Sequence, residues 1–197
     1  STTNPRWRTV LLGALGAGEK GLYAIDITDP NSPTHLFAIN NDETNKAIQH
    51  WDIDGLKQEF GYAGGSNIDA KYDYRKLGET WSTPRIIRIK VSGTDKWVAV
   101  FGGGYNGAVN PNVGSAVFVM DLEDEGRLLK VIDIEDTSVQ TIVNSLPADL
   151  SVITADGTDK ANYNGAMIYA TDLEGKVTKI NLTDQGTLYQ STTLFTA

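Results

Sequence analysis

The chain has 197 residues, of which 40% are hydrophobic and 21% are charged, and its formal net charge is −8. This composition is typical of a folded globular protein and excludes a disordered chain. The acidic balance argues against nucleic acid and anionic membrane surfaces as partners, since both favour clustered Lys and Arg. There are no cysteines, which excludes disulfides and cysteine-based zinc or redox chemistry. No apolar run approaches the ~18–20 residues that span a bilayer, so we expect no membrane span.

A short phrase of alternating apolar residues, broken by Gly and Asp turns, occurs three times along the chain. Its first copy, in residues 7–39, predicts three strands, at Val10 to Leu15, Leu22 to Ile27 and His35 to Ile39. Alternation and β-branched or aromatic residues are the marks of a half-buried strand. We therefore expect the first unit to be part of a β-meander.

Residues 40–80 interrupt the repeat and are read as an insertion. The segment is rich in Asn, Asp, Gly and Lys, and Lys46 to Gln49 is a candidate helical turn. Loops of this length are uncommon in compact domains unless they are functional or disordered. Its scattered aromatic residues indicate that it packs against something: Trp51, Phe60, Tyr62, Tyr72 and Tyr74. We look for function here.

The second and third units, residues 81–135 and 145–196, each predict four antiparallel strands. In the second unit these are Thr83 to Val91, Trp97 to Phe101, Ala116 to Leu122 and Leu128 to Ile134. In the third unit they are Leu150 to Thr154, Met167 to Thr171, Val177 to Leu182 and Leu188 to Leu194. Four short strands in roughly fifty residues is the size of one propeller blade.

The repeat predicts an all-β protein, a partial β-propeller of about three four-stranded antiparallel meanders, quinoprotein-like in pattern. Known propellers close with at least about four blades. We therefore expect residues 1–197 to be a fragment of a single propeller domain. An open blade edge would then need a cover, and other parts of its own parent chain are candidate partners.

Most catalytic chemistry finds little support in the residues. The Gly102 to Gly107 loop lacks the following helix and the Gly-Lys-Ser/Thr ending that phosphate binding requires. Only His35 and His50 are available as imidazole bases, and no Gly-x-Ser-x-Gly elbow occurs. Paired carboxylates for glycoside hydrolysis stay open, because their separation in space decides. Asp26 and Asp121 occupy the same place in the repeat, which favours turn capping. We expect no enzyme.

Calcium is the one cofactor that the sequence favours, because it needs several oxygen ligands converging on a tight loop. The loop Thr154 to Asn164 offers five candidate ligands: Asp156, Thr158, Asp159, Asn162 and Asn164. It departs from an EF-type loop, since Thr154 holds the first ligand place and no distal Glu follows. Asp52 to Gly55 is a weaker second candidate. The alternative for both is a polar turn that satisfies backbone groups.

Several phrases resemble the C-terminal β-propeller of the PilY1/PilC-type proteins, tip-associated adhesins and biogenesis factors of bacterial type IV pili. The resemblance rests on Trp81-Ser-Thr-Pro84, on Lys96 to Asn106 with its Gly-Gly-Gly-Tyr-Asn ending, on Ala116 to Leu122, and on Tyr169 to Val177. It covers most of the chain outside residues 40–78. Members often carry an Asp-x-Asp-x-Asp calcium loop, and at the matching stretch here only Asp156 fits an acidic place.

The resemblance implies a non-enzymatic protein of the bacterial cell surface, pilus tip, outer membrane or periplasm. Its implied function is type IV pilus biogenesis and adhesion, supporting pilus extension, surface attachment and twitching motility. The implied partners are pilus subunits and a host or abiotic surface. Two alternatives stay open, a quinoprotein-like propeller enzyme and a scaffold propeller of outer-membrane assembly.

Overall fold

The computed structural model describes residues 7–107, 113–135, 144–154 and 165–196, and these form three antiparallel β-sheets in chain order. The first sheet contains β1 (Val10–Ala14), β2 (Gly21–Asp26), β3 (Thr34–Asp42), β4 (Ala47–Trp51) and β5 (Lys57–Gly61). The second contains β6 (Arg85–Val91), β7 (Thr94–Gly102), β8 (Ala116–Asp121) and β9 (Leu128–Asp133). The third contains β10 (Ser151–Thr154), β11 (Ala166–Thr171), β12 (Val177–Asn181) and β13 (Ser191–Phe195).

Each sheet is a meander in which every strand pairs with its neighbour in sequence. The predicted all-β class is confirmed, and the strands predicted for the second and third units lie within a few residues of the observed ones. The turn between β6 and β7 is only two residues long, Ser92 and Gly93, both with positive φ. Two positive φ angles are what the right-handed twist of a tight hairpin requires.

The interpretation of residues 40–80 as an insertion is corrected for its first half. β3 continues to Asp42, and β4 and β5 add two strands to the first sheet, which therefore has five strands where three were expected. The predicted helical turn at Lys46 to Gln49 is wrong, because Ala47 and the residues after it pair with both β3 and β5. Pairing on both sides outweighs the polar composition of this stretch.

The second sheet is the centre of the stack, since both of its faces are covered. Along β8, Phe118 and Met120 face the first sheet, whereas Val117 and Val119 face the third, and all four are fully buried. An unbroken apolar run such as Ala-Val-Phe-Val-Met is therefore dictated by burial on both faces of one strand. The two cores on either side of it hold the three sheets together as consecutive blades.

The remainder of the predicted insertion, residues 62–80, does pack against the sheets, as its aromatic residues indicate. The Tyr74 ring is stacked on Phe118 at a centroid distance of 5.4 Å and its hydroxyl donates to the carbonyl oxygen of Gly126 at 2.6 Å. The Tyr72 ring is stacked on Phe60 at 4.0 Å. This segment therefore fills the space between the outer strands of the first and second sheets.

Among the described residues, no helix is long and apolar enough to cross a membrane.

Candidate functional site

A polar cleft lies where the segment after β5 meets β9. It has a volume of about 450 Å³. The lining includes Tyr62 and six charged side chains: Glu43, Lys46, Asp73, Arg75, Lys76 and Asp133. Three chain segments far apart in sequence contribute to it, namely the β3–β4 turn, residues 62–76 and β9. The cleft is a strongly charged concave surface between the first two sheets, and we take it as the candidate functional site.

Ion pairs hold the cations of the cleft in place. The Arg75 guanidinium contacts the Asp73 carboxylate through two hydrogen bonds, of 2.6 and 2.7 Å, and this contact raises the pKa of Arg75. Lys76 reaches across to the second sheet and pairs with Asp133 and with Glu135, the latter at 2.9 Å. Burial alone would lower the pKa of Lys76, but the two carboxylates more than offset it and raise the pKa.

Tyr62 anchors the wall of the cleft on the first sheet. Its hydroxyl donates to the Asn41 side-chain oxygen at 2.9 Å, and the Asn41 amide donates in turn to the Leu77 carbonyl at 2.8 Å. Burial raises the pKa of Tyr62 to about 12, and the nearby carboxylates of Glu43 and Asp42 add to the effect. The hydroxyl thus stays protonated at neutral pH and acts as a fixed donor.

The chemistry of the cleft is that of a candidate binding surface. It combines fixed charges of both signs with a tyrosine, and its cations are already paired with carboxylates. Such a surface suits a polar partner that exchanges ion pairs at low cost in reorganisation. The sequence indicated function in residues 40–78 but not which side chains meet there. Lys76 pairs with Asp133 of β9, more than fifty positions away, and no short stretch of sequence contains both residues.

The five predicted calcium ligands, Asp156, Thr158, Asp159, Asn162 and Asn164, lie outside the described residues. The strands that flank them are described: Thr154, the last residue of β10, pairs with Ala166, the first of β11. Within the described ranges, no group of three or more His, Cys, Asp or Glu side chains is placed to hold a metal ion.

The weaker calcium candidate at Asp52 to Gly55 forms the turn between β4 and β5. The Asp52 carboxylate accepts backbone N–H groups from Asp54 and Leu56, at 3.1 and 2.9 Å. Its oxygen is therefore used to cap the turn, which agrees with the alternative interpretation of this segment as a polar turn.

The predicted turn-capping role of the repeated acidic position is confirmed. Asp26 accepts the N–H of Thr28 at 2.8 Å, and Asp121 accepts the N–H of Glu123 at 2.9 Å. Asn181, at the end of β12, does the same for Thr183 at 3.0 Å. These side chains end strands by satisfying the first free backbone donor of the turn.

The glycine run after β7 is a backbone crossing point. Gly103 donates to the Ala116 carbonyl and Gly104 to the Leu146 carbonyl, at 2.7 and 3.0 Å. Gly104 has φ +83°, and a Cβ there would overlap the carbonyl of Glu79. The glycines therefore let the chain segments that lead into the second and third sheets approach closely. This agrees with the interpretation of the run as glycines that allow a tight backbone turn.

Both histidines contact backbone carbonyls. His35 Nε2 lies 3.0 Å from the carbonyl oxygen of Asp52, and His50 Nε2 lies 2.7 Å from that of Glu125. These contacts give the two side chains structural partners, the first within the first sheet and the second between the first and second sheets.

Comparison with known proteins points in one direction. The family model described as the PilY1 beta-propeller domain matches residues 2–192. The type IV pilus biogenesis factor PilY1 of Pseudomonas aeruginosa (strain UCBPP-PA14) is 30% identical over 177 residues, which are 89% of this chain and 11% of that protein. The PilY1 homolog of Xylella fastidiosa (strain Temecula1) is 25% identical over 193 residues, 89% of this chain and 10% of that protein.

A solved structure supports the fold. The crystal structure of the P. aeruginosa PilY1 C-terminal domain matches with a TM-score of 0.55 and 24% identity, covering 89% of this chain and 27% of that chain. The predicted β-propeller fold is thereby confirmed. The chain spans only about a tenth of the curated relatives it matches.

Proposed function

This chain belongs to the PilY1 β-propeller family, and from that membership we propose that it is a propeller segment serving type IV pilus biogenesis. The observation that carries the proposal is the family match over residues 2–192, which takes in strands of all three sheets. The relatives of known name are pilus biogenesis factors. We place the protein at the bacterial cell surface or pilus.

We propose further that the segment acts by binding and not by catalysis, supporting pilus extension, attachment and twitching. In support, the two histidines contact backbone carbonyls and the repeated acidic side chains cap turns. The partners that fit are pilus subunits and a host or abiotic surface. The polar cleft is the surface that we assign to such contacts, because rigid β-sheets hold it and loops form its rim.

A charge reversal at the rim of the cleft tests this role. Lys46 lies on the β3–β4 turn, its side chain is 47% exposed, and its ion pair with Glu43 is long at 4.0 Å. Lys46→Glu should therefore leave the fold intact and weaken pilus-dependent twitching and attachment. Lys130→Glu, at an exposed position of β9 outside the cleft lining, is the matched control and should behave as wild type.

The parent gene provides the broader test. A strain without it should lack surface pili and twitching, and complementation with the intact gene should restore both. If the deletion strain makes normal pili and attaches normally, the pilus role is wrong. If only the Lys46→Glu strain is normal, the cleft assignment alone is wrong.

Calcium remains a proposal for the loop Thr154 to Asn164, supported by its oxygen-rich side chains. We propose that Asp156 and Asp159 supply the charge, with Thr158, Asn162 and Asn164 completing the set. The expected result is that EDTA lowers Tm and excess calcium restores it, because an ion at a hundred times its Kd stabilises by about 2.7 kcal/mol. Asp156→Asn should abolish the shift and Asp54→Asn should preserve it. If EDTA leaves the Tm unchanged, the proposed calcium site is wrong.

A further inference from the structure

A second concave surface, distinct from the polar cleft, opens between the first and second sheets. This aromatic groove has a volume of about 850 Å³. Its apolar lining comes from both sheets and includes Trp7, Phe37, Ile53, Ile86, Trp97 and Leu122. Several of these side chains are open to solvent: Trp7 is 83% exposed, Ile53 45% and Ile86 41%. Concave apolar surfaces of this size are typical of binding sites.

The groove is a continuation of the core between the two sheets. Ile86, Ala99 and Met120 lie side by side on β6, β7 and β8, on the face that looks toward the first sheet. Ala99 and Met120 are fully buried there, whereas Ile86 in the same row is 41% exposed. The first sheet thus covers the row only in part, and the uncovered end forms the apolar floor.

The rim of the groove carries two acidic side chains, Glu123 and Glu125, and Glu125 is already paired with Arg127 at 3.4 Å. Glu123, in the turn between β8 and β9, is exposed and lines the groove. Its carboxylate accepts one backbone N–H, from Trp97 at 3.2 Å, and within the described ranges no lysine or arginine lies within ion-pair distance of it. Lys96 is paired with Asp121 at 3.0 Å, and Arg8, on the wall of the groove, is turned toward Asp26 at 3.6 Å.

The acidic rim is held in a fixed conformation. Glu125, the second acid of the rim, has φ +52°, a left-handed conformation that costs free energy in a non-glycine residue. Its carbonyl accepts a hydrogen bond from His50 of the first sheet at 2.7 Å. The turn is thus fixed by a hydrogen bond from the first sheet, and a partner that binds it loses little conformational entropy in ordering it.

We propose that the aromatic groove binds an extended peptide segment whose apolar side chains alternate with lysine or arginine. The apolar side chains would cover Ile86 and Trp97, and a cation would pair with Glu123. In an extended chain the apolar side chains would face the floor of the groove, and the long, flexible lysine or arginine side chains on the other side would bend their charged ends to the rim. Charge favours this occupant, since Glu123 forms no ion pair with the described residues and the whole chain is acidic at −8. This site does not depend on the proposed pilus role.

A labelled peptide of sequence Lys-Leu-Lys-Phe-Lys tests the proposal by fluorescence anisotropy on the purified protein. Two matched probes are Glu-Leu-Glu-Phe-Glu, which reverses the charge, and Lys-Ser-Lys-Ser-Lys, which removes the apolar side chains. We expect each to bind at least tenfold more weakly than the first. Glu123→Gln should weaken the first peptide at least threefold, and Ile86→Ser at least fivefold.

Glu59→Gln, an exposed carboxylate on β5 away from the groove, is the control and should not change the affinity. Both groove variants sit at exposed positions, and an unchanged Tm would show that they fold. Equal binding of the acidic and basic apolar peptides would make the groove a nonselective hydrophobic slot and overturn the proposal. So would equal binding of the serine peptide, equal binding by Glu123→Gln, or no binding at all.

Discussion

His50, on β4 of the first sheet, donates from Nε2 to the backbone carbonyl of Glu125 in the β8–β9 turn of the second sheet, over 2.7 Å. The ring is buried, and it meets Tyr72 edge-on at a centroid distance of 5.2 Å. One buried hydrogen bond therefore joins two blades, fixes a left-handed residue at the rim of the aromatic groove, and touches the aromatic residues that fill the space beside the polar cleft.

Removing the His50 ring should destabilise the protein markedly. His50→Ala deletes the donor to a carbonyl that is then unsatisfied and leaves a cavity beside Tyr72. We expect the free energy of unfolding to fall by about 2–4 kcal/mol, measured by urea denaturation. His35→Ala is the comparison, because His35 is only partly buried and contacts a turn within its own sheet. It should cost under about 1 kcal/mol, and equal losses would refute the inter-blade role of His50.

Replacing glycine by alanine should destabilise the protein more at a crowded position with positive φ than at an open one. Gly104 has φ +83° and its Cβ would overlap the Glu79 carbonyl, whereas Gly55 has φ +75° and open space around it. Gly55→Ala should cost only the conformational strain, about 1 kcal/mol. Gly104→Ala should cost more than about 3 kcal/mol, because the backbone crossing must also move. Thermal unfolding of the two variants measures the difference, and similar Tm values would contradict the crossing.

Asp149 should contribute to the acid sensitivity of the fold. Its carboxylate accepts the Thr83 N–H at 2.7 Å, and the contacts with Thr83, aided by the charge of Arg85, lower its pKa from the usual 3.8. A carboxyl group whose pKa is lower in the folded state than in the unfolded state stabilises the fold at pH values above its unfolded-state pKa. This stabilisation is lost as the pH falls through the folded-state pKa. Wild type should thus lose more stability than Asp149→Asn as the pH falls below about 4.

The effect is modest, because Asp149 is exposed and solvent screens its contacts. Urea denaturation at a series of pH values measures it. Asp54→Asn, at the exposed β4–β5 turn, should follow wild type throughout. If Asp149→Asn and wild type run parallel below pH about 4, the contact with Thr83 does not stabilise the folded state.

Most of the fold could be predicted from the sequence, because burial determines the local pattern of apolar and polar residues. The run Ala116 to Met120 is apolar on both faces, and Asp26 and Asp121 recur where strands end, so the sequence predicts both this strand and the turn caps. β4 and β5 were not predicted. Their residues include Gln49 and Lys57, and their strand character comes from pairing with β3 and with each other, which no short window of sequence contains.

The sequence predicted only the general region of the candidate site. Scattered aromatic residues indicated that residues 62–80 pack against something, and Tyr72 and Tyr74 do so. The polar cleft itself depends on Lys76 meeting Asp133, and the aromatic groove on Trp97 facing the first sheet. Such contacts follow from how the sheets stack. The candidate calcium ligands stay a prediction, since they lie outside the described residues.

We propose that this segment serves pilus biogenesis as a folded propeller unit, and one measurement tests that role most directly. The amount of pilin sheared from the cell surface should be compared between strains that carry Gly104→Ala and Gly55→Ala in the chromosomal gene. We predict that Gly104→Ala, which disrupts the crossing between the sheets, removes most surface pilin, whereas Gly55→Ala retains it. Wild-type levels of surface pilin in a Gly104→Ala strain whose protein is shown to be unfolded would contradict the account.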